Sequence, residues 1–251
     1  MNKKPLNAAS DVLIHPSSLI PHPFPIAAVL LAAGRSRRMG AFKPLLPFGA
    51  RTVVETCVNS LLAAGVAEVV VVVGHRAEEV RAALAHLPVR FALNAEAGSE
   101  MGVSIARGVE ALSEGDEVGG GEVRGGATAA AGAATAAGAT LIALADHPAV
   151  RAGEIVEVIA AHRRTGARVV VPEWRGRGGH PVLVSLALRA SLLNLDAAGG
   201  LRALFERHAG EVLRLPVASE YVARDMDTWE DYRALHVEVF GVPPPVTQAS
   251  R

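Results

Sequence analysis

Two cations, Arg38 and Lys43, stand just beyond the short stretch Leu31-Ala32-Ala33-Gly34-Arg35-Ser36, and an apolar run from Ile26 to Leu31 precedes it. Ala32, Ala33 and Gly34 carry little or no side chain, so backbone N–H groups of the turn can approach phosphate oxygens closely. Arg38 adds a planar fork of donors and Lys43 a point charge. A buried strand, a small-residue turn and two cations together suit the wrapping of backbone around a polyphosphate. Ser36 either donates to a phosphate or closes the turn itself. No Gly-Lys-Ser/Thr follows, so this is not a Walker loop, and the spacing does not fit the dinucleotide glycine pattern.

A held polyphosphate calls for a divalent ion, and Mg²⁺ commonly takes one or two carboxylates plus phosphate oxygens. Asp146 ends the apolar run Thr140 to Ala145 and is either such a ligand or a cap on the turn before Pro148. Asp225 and Asp227 precede a helical stretch, where either can cap the helix, with Asp231 in the favourable first turn. His75 follows Gly74 at a strand end, where it either touches a nucleotide or serves the turn. Cys57 lies on the apolar side of its helix and reads as core.

These residues recur in blocks that resemble the MobA-like nucleotidyltransferases, closest to the molybdenum cofactor cytidylyltransferases. Leu31-Ala-Ala-Gly34-x-Ser36-x-Arg38-Met-Gly40 with Lys43 resembles the opening of that family, and Val70-Val-Val-Val-Gly74-His75 its second strand and turn. Asn94 and Gly98-Ser-Glu-Met101-Gly102-Val-Ser104 are similar to the family's Asn and Gly-Met-x-x-Ser segment. Ala143-Leu-Ala-Asp146-His-Pro148 resembles Gly-Asp-Gln-Pro, and Gly178-Gly-His180-Pro181 and Asp225-Met-Asp227-Thr228-x-Glu-Asp231 resemble the last two blocks. The blocks keep the family's order from about Ile26 to Tyr232.

The resemblance implies a nucleotide site formed by Leu31, Ala32, Ala33, Gly34, Ser36, Arg38, Lys43, His75, Asn94 and Ser104. It implies Mg²⁺ on Asp146 and Asp227, with Asp227 aligning better than Asp225, and catalysis by Lys43, Arg38 and Asp146. Arg35 and Arg37 fall at the rim of the loop. Asn94 is expected at the ribose or base, and Gly98 to Ser104 as a lip over the nucleotide. His180 is expected to face the second substrate, binding an anionic group or serving a structural role.

The bulk properties agree with a small phosphorylated ligand. The chain has 251 residues, half of them apolar, which suits one α/β domain with a sizeable core. Its 25 Lys and Arg balance 25 Asp and Glu, against long nucleic acid as a partner. The Arg-Gly-Arg-Gly-Gly run at 175–179 lacks aromatic stacking platforms for RNA. A single Cys fits a reducing compartment, no apolar run approaches the ~18 residues of a membrane span, and the first 25 residues lack the apolar core of a secretory signal. The expectation is a cytoplasmic protein.

The elements that must position the site alternate. Helices are expected over 52–64, where Thr52 and Glu55 stand at capping-box spacing and Gly65 can end the helix, and over 78–87, 103–112, 154–164, 200–208 and 228–237. Strands are expected over 26–31, 68–73, 89–93, 140–145, 168–171 and 212–217, while 182–188 reads as a strand or an early helix turn. The fold class is α/β: a three-layer, mostly parallel sheet flanked by helices, Rossmann-like and of the nucleotide-diphospho-sugar transferase type. Residues 1–25 are expected as a disordered lead, 26–238 as a single domain, 239–251 as a flexible tail, and the Gly/Ala-rich stretch at about 115–138 as a flexible insertion.

The implied reaction moves CMP from CTP to the terminal phosphate of molybdopterin with release of pyrophosphate. A molybdenum hydroxylase or its maturation chaperone would be a protein partner. Ala33-Gly34 and Phe42 stand where guanylyltransferase relatives carry Gly-Gly and Asp, which favours the cytidylyl branch. Ala145 and His147 stand where Gly and Gln or Met are usual, which keeps a GTP-using enzyme or another acceptor, such as a sugar phosphate, as the alternative. A non-catalytic nucleotide-binding cofactor chaperone is the alternative from another class.

Overall fold

The computed structural model describes residues 24–36, 38–96, 100–112, 137–195 and 199–246. Most of the expected N-terminal lead and Gly/Ala-rich insertion, Arg37, the start of the Gly98 segment and the end of the C-terminal tail lie outside these residues.

The main sheet runs β10(Val212–Pro216)-β7(Val169–Trp174)-β9(Val182–Ser185)-β6(Ala139–Leu144)-β1(Ile26–Leu31)-β4(Glu68–Val73)-β5(Arg90–Leu93), with β8(Arg177–Gly178) paired to β7. The pairs β1–β4, β1–β6, β4–β5 and β7–β10 are parallel, and β9 inserts antiparallel between β6 and β7. The sheet is thus mostly parallel, as expected. The stretch 182–188 divides into strand β9 and a short 3₁₀ turn over Leu186–Leu188. Ser185 holds that turn by accepting from the Ala187 amide.

Helices cover both faces. α1(Val53–Ala63), α2(Ala77–Ala83) and α4(Ala152–Thr165) lie on one side, where Val58, Leu61, Val80 and Val158 meet Ala28, Leu30, Val71 and Leu141. α3(Met101–Glu110), α5(Arg189–Leu193) and α6(Gly200–Arg207) lie on the other, where Ile105, Val109, Leu192 and Leu204 meet Ala27, Val29 and Val72. The alternation along β1 feeds two separate cores, so its near-continuous apolar run is that of a strand covered twice. Each fully buried Val or Leu contributes on the order of 1.5–3 kcal/mol.

Local chemistry sets the boundaries. Thr52 caps α1 through the expected box: its hydroxyl accepts from the Glu55 amide, and the Glu55 carboxylate accepts from the Thr52 amide. Gly108 lets α3 lie flat on the sheet, since a Cβ there would sit 2.2 Å from a Val29 methyl. A small hairpin, β2(Pro47–Phe48) and β3(Arg51–Thr52), turns at Gly49, where φ is +64°. Its Phe48 packs with Met39, Met226, Tyr232 and Leu235 under the last helix, α7(Trp229–Phe240).

Candidate active site

β1 and β6 run side by side and end together. Leu31 pairs with Leu144, and the Ala145 amide donates to the Leu31 carbonyl at 3.1 Å. From β1 the chain goes to β4 on one flank and returns as β6 on the other, so their carboxyl ends mark a switch point where a crevice opens. A cleft of about 380 Å³ occupies it. Leu31, Ala32, Ala33, Gly34 and Ser36 form one wall with Lys43, Asn94 and Ser104 contribute further, and Asp146 follows β6. Gly74 allows this wall to close, because a Cβ there would stand 2.9 Å from the Asn94 carbonyl and 3.1 Å from Ala33.

The loop after β1 folds around its own polar groups. Ser36 adopts φ +51° and its hydroxyl accepts from the Lys43 amide at 3.1 Å, so Ser36 closes the turn. That places Lys43 at the start of a 3₁₀ turn through Leu45, with the residue only 8% exposed. A lysine so buried needs anionic partners. Its Nζ lies 2.5 Å from Asp227 Oδ1 and 3.9 Å from Asp146 Oδ2. Three residues drawn from distant parts of the chain therefore converge.

Asp146 is further held by its neighbour. His147 Nδ1 lies 2.9 Å from Asp146 Oδ1, and the His147 ring, itself buried, meets His180 edge-on at 5.6 Å. Burial raises the Asp146 carboxyl, but the His147 hydrogen bond and the charges of His147, Lys43 and His180 outweigh it and hold it below its ordinary value. His180 Nδ1 donates to the Ile142 carbonyl at 3.2 Å. Burial pushes its pKa down to about 4, helped by His147, so it is neutral at pH 7. Burial also pushes the Cys57 thiol up, followed by the Asp146 charge, which fits the core role expected of it.

Some expected residues stand elsewhere. Arg38 pairs with Asp227 and its side chain is 77% exposed, so it sits outside the cleft lining and reaches the site through that carboxylate. Arg35, expected at the rim, lines the cleft instead. His75 packs edge-on against Phe42 at 5.5 Å, away from the cleft lining, because Phe42 is buried beneath it. Asn94 Nδ2 donates to Ser104 Oγ at 2.9 Å, and its Oδ1 accepts from the Glu96 amide, so Asn94 ties the cleft wall to α3. His180 lines a second cleft of about 360 Å³ with Gly178, Gly179, Arg202 and Arg214, and Met101 borders both clefts. Asp225 is exposed, whereas Asp227 meets Lys43. Thr228 caps α7, accepting from the Asp231 amide at 3.1 Å.

Asp146 and Asp227 offer hard oxygen donors and already share one cation, the Lys43 ammonium. Among the described residues no group of three or more His, Cys, Asp or Glu converges as a cage. Two carboxylates without a cage suit a divalent ion that would take its remaining ligands from water and phosphate oxygens.

Sheet, small-residue loop and carboxylate pair together define a nucleotide-handling α/β protein. The MobA-like NTP transferase domain matches residues 28–212, and the chain belongs to this family, enzymes of the nucleotidyltransferase type. It is similar to the nicotine blue oxidoreductase of Paenarthrobacter nicotinovorans, with 29% identity over 222 residues covering 84% of this chain and 96% of that protein. The crystal structure of an Rv0371c homologue from Mycobacterium sp. strain JC1 superposes with a TM-score of 0.68 and 27% identity, covering 85% of this chain and 96% of that one. A nucleotidyl transferase from Methanothermobacter superposes with a TM-score of 0.66 and 25% identity, covering 86% and 97%. Among the described residues no helix is long and apolar enough to cross a membrane.

Proposed function

We propose that this enzyme transfers CMP from CTP to the terminal phosphate of molybdopterin, releasing pyrophosphate. The observation that carries the transfer is the meeting of Lys43, Asp146 and Asp227 beside the small-residue loop. The choice of CTP rests on Ala33-Gly34 and Phe42, which stand where guanylyltransferase relatives carry Gly-Gly and Asp. The acceptor enters the second cleft, where His180, Arg202 and Arg214 offer polar and cationic groups to an anionic molecule.

An acceptor phosphate oxygen attacks the α-phosphorus in line, the bond from the α-phosphorus to the bridging oxygen breaks, and pyrophosphate leaves with that electron pair. A phosphate monoester has its second pKa near ~6, so it is largely a dianion at pH 7 and no general base is needed. The backbone of Ala32 to Gly34 cradles the triphosphate, and Lys43 turns from its carboxylates to the phosphate charge. Mg²⁺ held by Asp146 and Asp227 would neutralise charge building on the phosphate oxygens. Arg38 orients Asp227.

The test is pyrophosphate release by the purified protein with Mg²⁺, molybdopterin and each of CTP, GTP, ATP and UTP. Thermal unfolding runs in parallel, since a nucleotide at ~100 times its Kd adds about 2.7 kcal/mol. Release with CTP alone, lost in Asp146→Ala and on adding EDTA, is the expected result. Preference for GTP would move the chain to guanylyl transfer, and release with a sugar phosphate would change the acceptor. Because one relative is named an oxidoreductase, the same protein is assayed for oxidation of NADH and NADPH. Nicotinamide turnover without pyrophosphate would overturn the proposal, and nucleotide binding without either would mark a cofactor chaperone.

A further inference from the structure

His147 contacts a residue of each cleft, Asp146 of the first and His180 of the second. Its backbone is fixed by a tight turn, the His147 amide donating to the Leu144 carbonyl at 3.3 Å and the Val150 amide to the His147 carbonyl at 3.2 Å. The residue is 8% exposed, and its ring lies between Asp146, which lines the first cleft, and His180, which lines the second. Edge-on packing against His180 at 5.6 Å leaves the imidazole little room to rotate.

A carboxylate only accepts, so the 2.9 Å contact requires the proton of a neutral His147 to sit on Nδ1. That bond occupies Asp146 Oδ1 and leaves Oδ2 turned toward Lys43. We propose that His147 is a positioning residue: its Nδ1–H locks the Asp146 carboxylate in the orientation that presents Oδ2 to the reacting phosphate and its metal ion. This rests on the nucleotidyl-transfer reading and adds to it a residue whose side chain touches no substrate. It also explains how a histidine is accommodated beside the metal-binding carboxylate: the side chain turns away from the cleft, beneath Asp146.

Mn²⁺ binding in the presence of CTP, followed by electron paramagnetic resonance, tests this without turnover. His147→Phe keeps a ring against His180 and removes the donor, while His147→Asn places an amide N–H near the position of Nδ1. Loss of an outer hydrogen bond to a metal ligand commonly costs 10–100-fold in metal affinity. The expected result is a loss in that range for His147→Phe, with kcat falling and KM for CTP little changed, and recovery to within a few-fold in His147→Asn. Nitrogen-15 spectra of the wild-type imidazole at pH 8 supply a second readout that does not depend on the variants folding, and they should show Nδ1 protonated.

Proton on Nε2, or Mn²⁺ affinity in His147→Phe equal to wild type, overturns the positioning role while leaving nucleotidyl transfer intact. Wild-type protein that binds no Mn²⁺ with CTP overturns both.

Discussion

Replacing Lys43 with Met should push metal binding and turnover in opposite directions. Lys43 Nζ lies 3.9 Å from Asp146 Oδ2 and closer still to Asp227, with a side chain only 10% exposed against 31% and 27% for the two carboxylates. A divalent ion that uses those carboxylates must displace this ammonium or share them with it. A unit-charge interaction near 4 Å is about 1 kcal/mol in water and about 4 kcal/mol at an effective dielectric of 20. The partial exposure of both aspartates argues for the lower part of that range, roughly 1–2 kcal/mol. At 1.36 kcal/mol per tenfold, Lys43→Met should tighten Mn²⁺ binding to the nucleotide-free protein by roughly 5- to 30-fold. The same change removes the cation proposed to bind phosphate, and loss of one such preorganised group costs on the order of 10²–10³ in kcat. Met keeps the aliphatic stem packed, but Asp146 and Asp227 lose their shared cation, so the metal-free variant should also unfold somewhat more easily. Mn²⁺ titration without nucleotide and pyrophosphate release with it are the two assays. Mn²⁺ binding that weakens in the variant would refute the reasoning, because Lys43 would then not compete for the carboxylates.

His180 should make the fold acid-sensitive. With its folded pKa near 4 against an ordinary 6.5, the unfolded chain takes up the proton first, so stability is full above pH 6.5 and is lost as pH falls toward 4. Urea unfolding at pH 7 and pH 4.5 should differ by roughly 2 kcal/mol from this group, and His180→Asn should remove most of that difference; an unchanged difference would count against it. Trp229→Phe deletes the indole donation to the Met39 carbonyl at 2.8 Å, leaving that oxygen unpaired at a cost of about 1–3 kcal/mol. Loosening of the loop that carries Lys43 should also raise KM for the nucleotide several-fold, and steady-state kinetics with an unaltered KM would show that the loop holds without it.

Signals that are local in the chain were legible in advance. Thr52 and Glu55 fix the start of α1, and the unbroken valines of β4 announce a strand covered on both faces. β2 and β3 are only two residues each, too short for any alternation to register, and α5 is hardly longer. The antiparallel direction of β9 leaves no mark on its own residues, since period-two burial is the same either way. At the site, residue type left Asp146 and Asp227 open as caps; the family resemblance singled them out with Lys43, and their partners followed from neither. Arg38 binds a carboxylate because Asp227 arrives from 189 positions away. His147 read only as a departure from the family pattern, and its role emerges only when the turn after β6 places its ring under Asp146.

The match to the family ends at residue 212, yet the site does not. Asp227 reaches Lys43 from beyond that limit, at the entrance to α7. The first turns of the helix are fastened to the loop after β1 and to the hairpin: Trp229 donates to the Met39 carbonyl, and the Tyr232 hydroxyl donates to the Pro47 carbonyl at 2.7 Å. His236, 2% exposed, accepts from the Gly49 amide through Nε2 and donates from Nδ1 to the Val242 carbonyl. The last helix therefore acts as a brace across the loop that follows β1, and its apolar face against Phe48 and Val53 keeps it there. Because Lys43 is held from both sides, by Asp146 at the end of β6 and by Asp227 at the end of this brace, its ammonium can be buried and still line the cleft. The matched region alone would supply the cradle but only one of the two carboxylates.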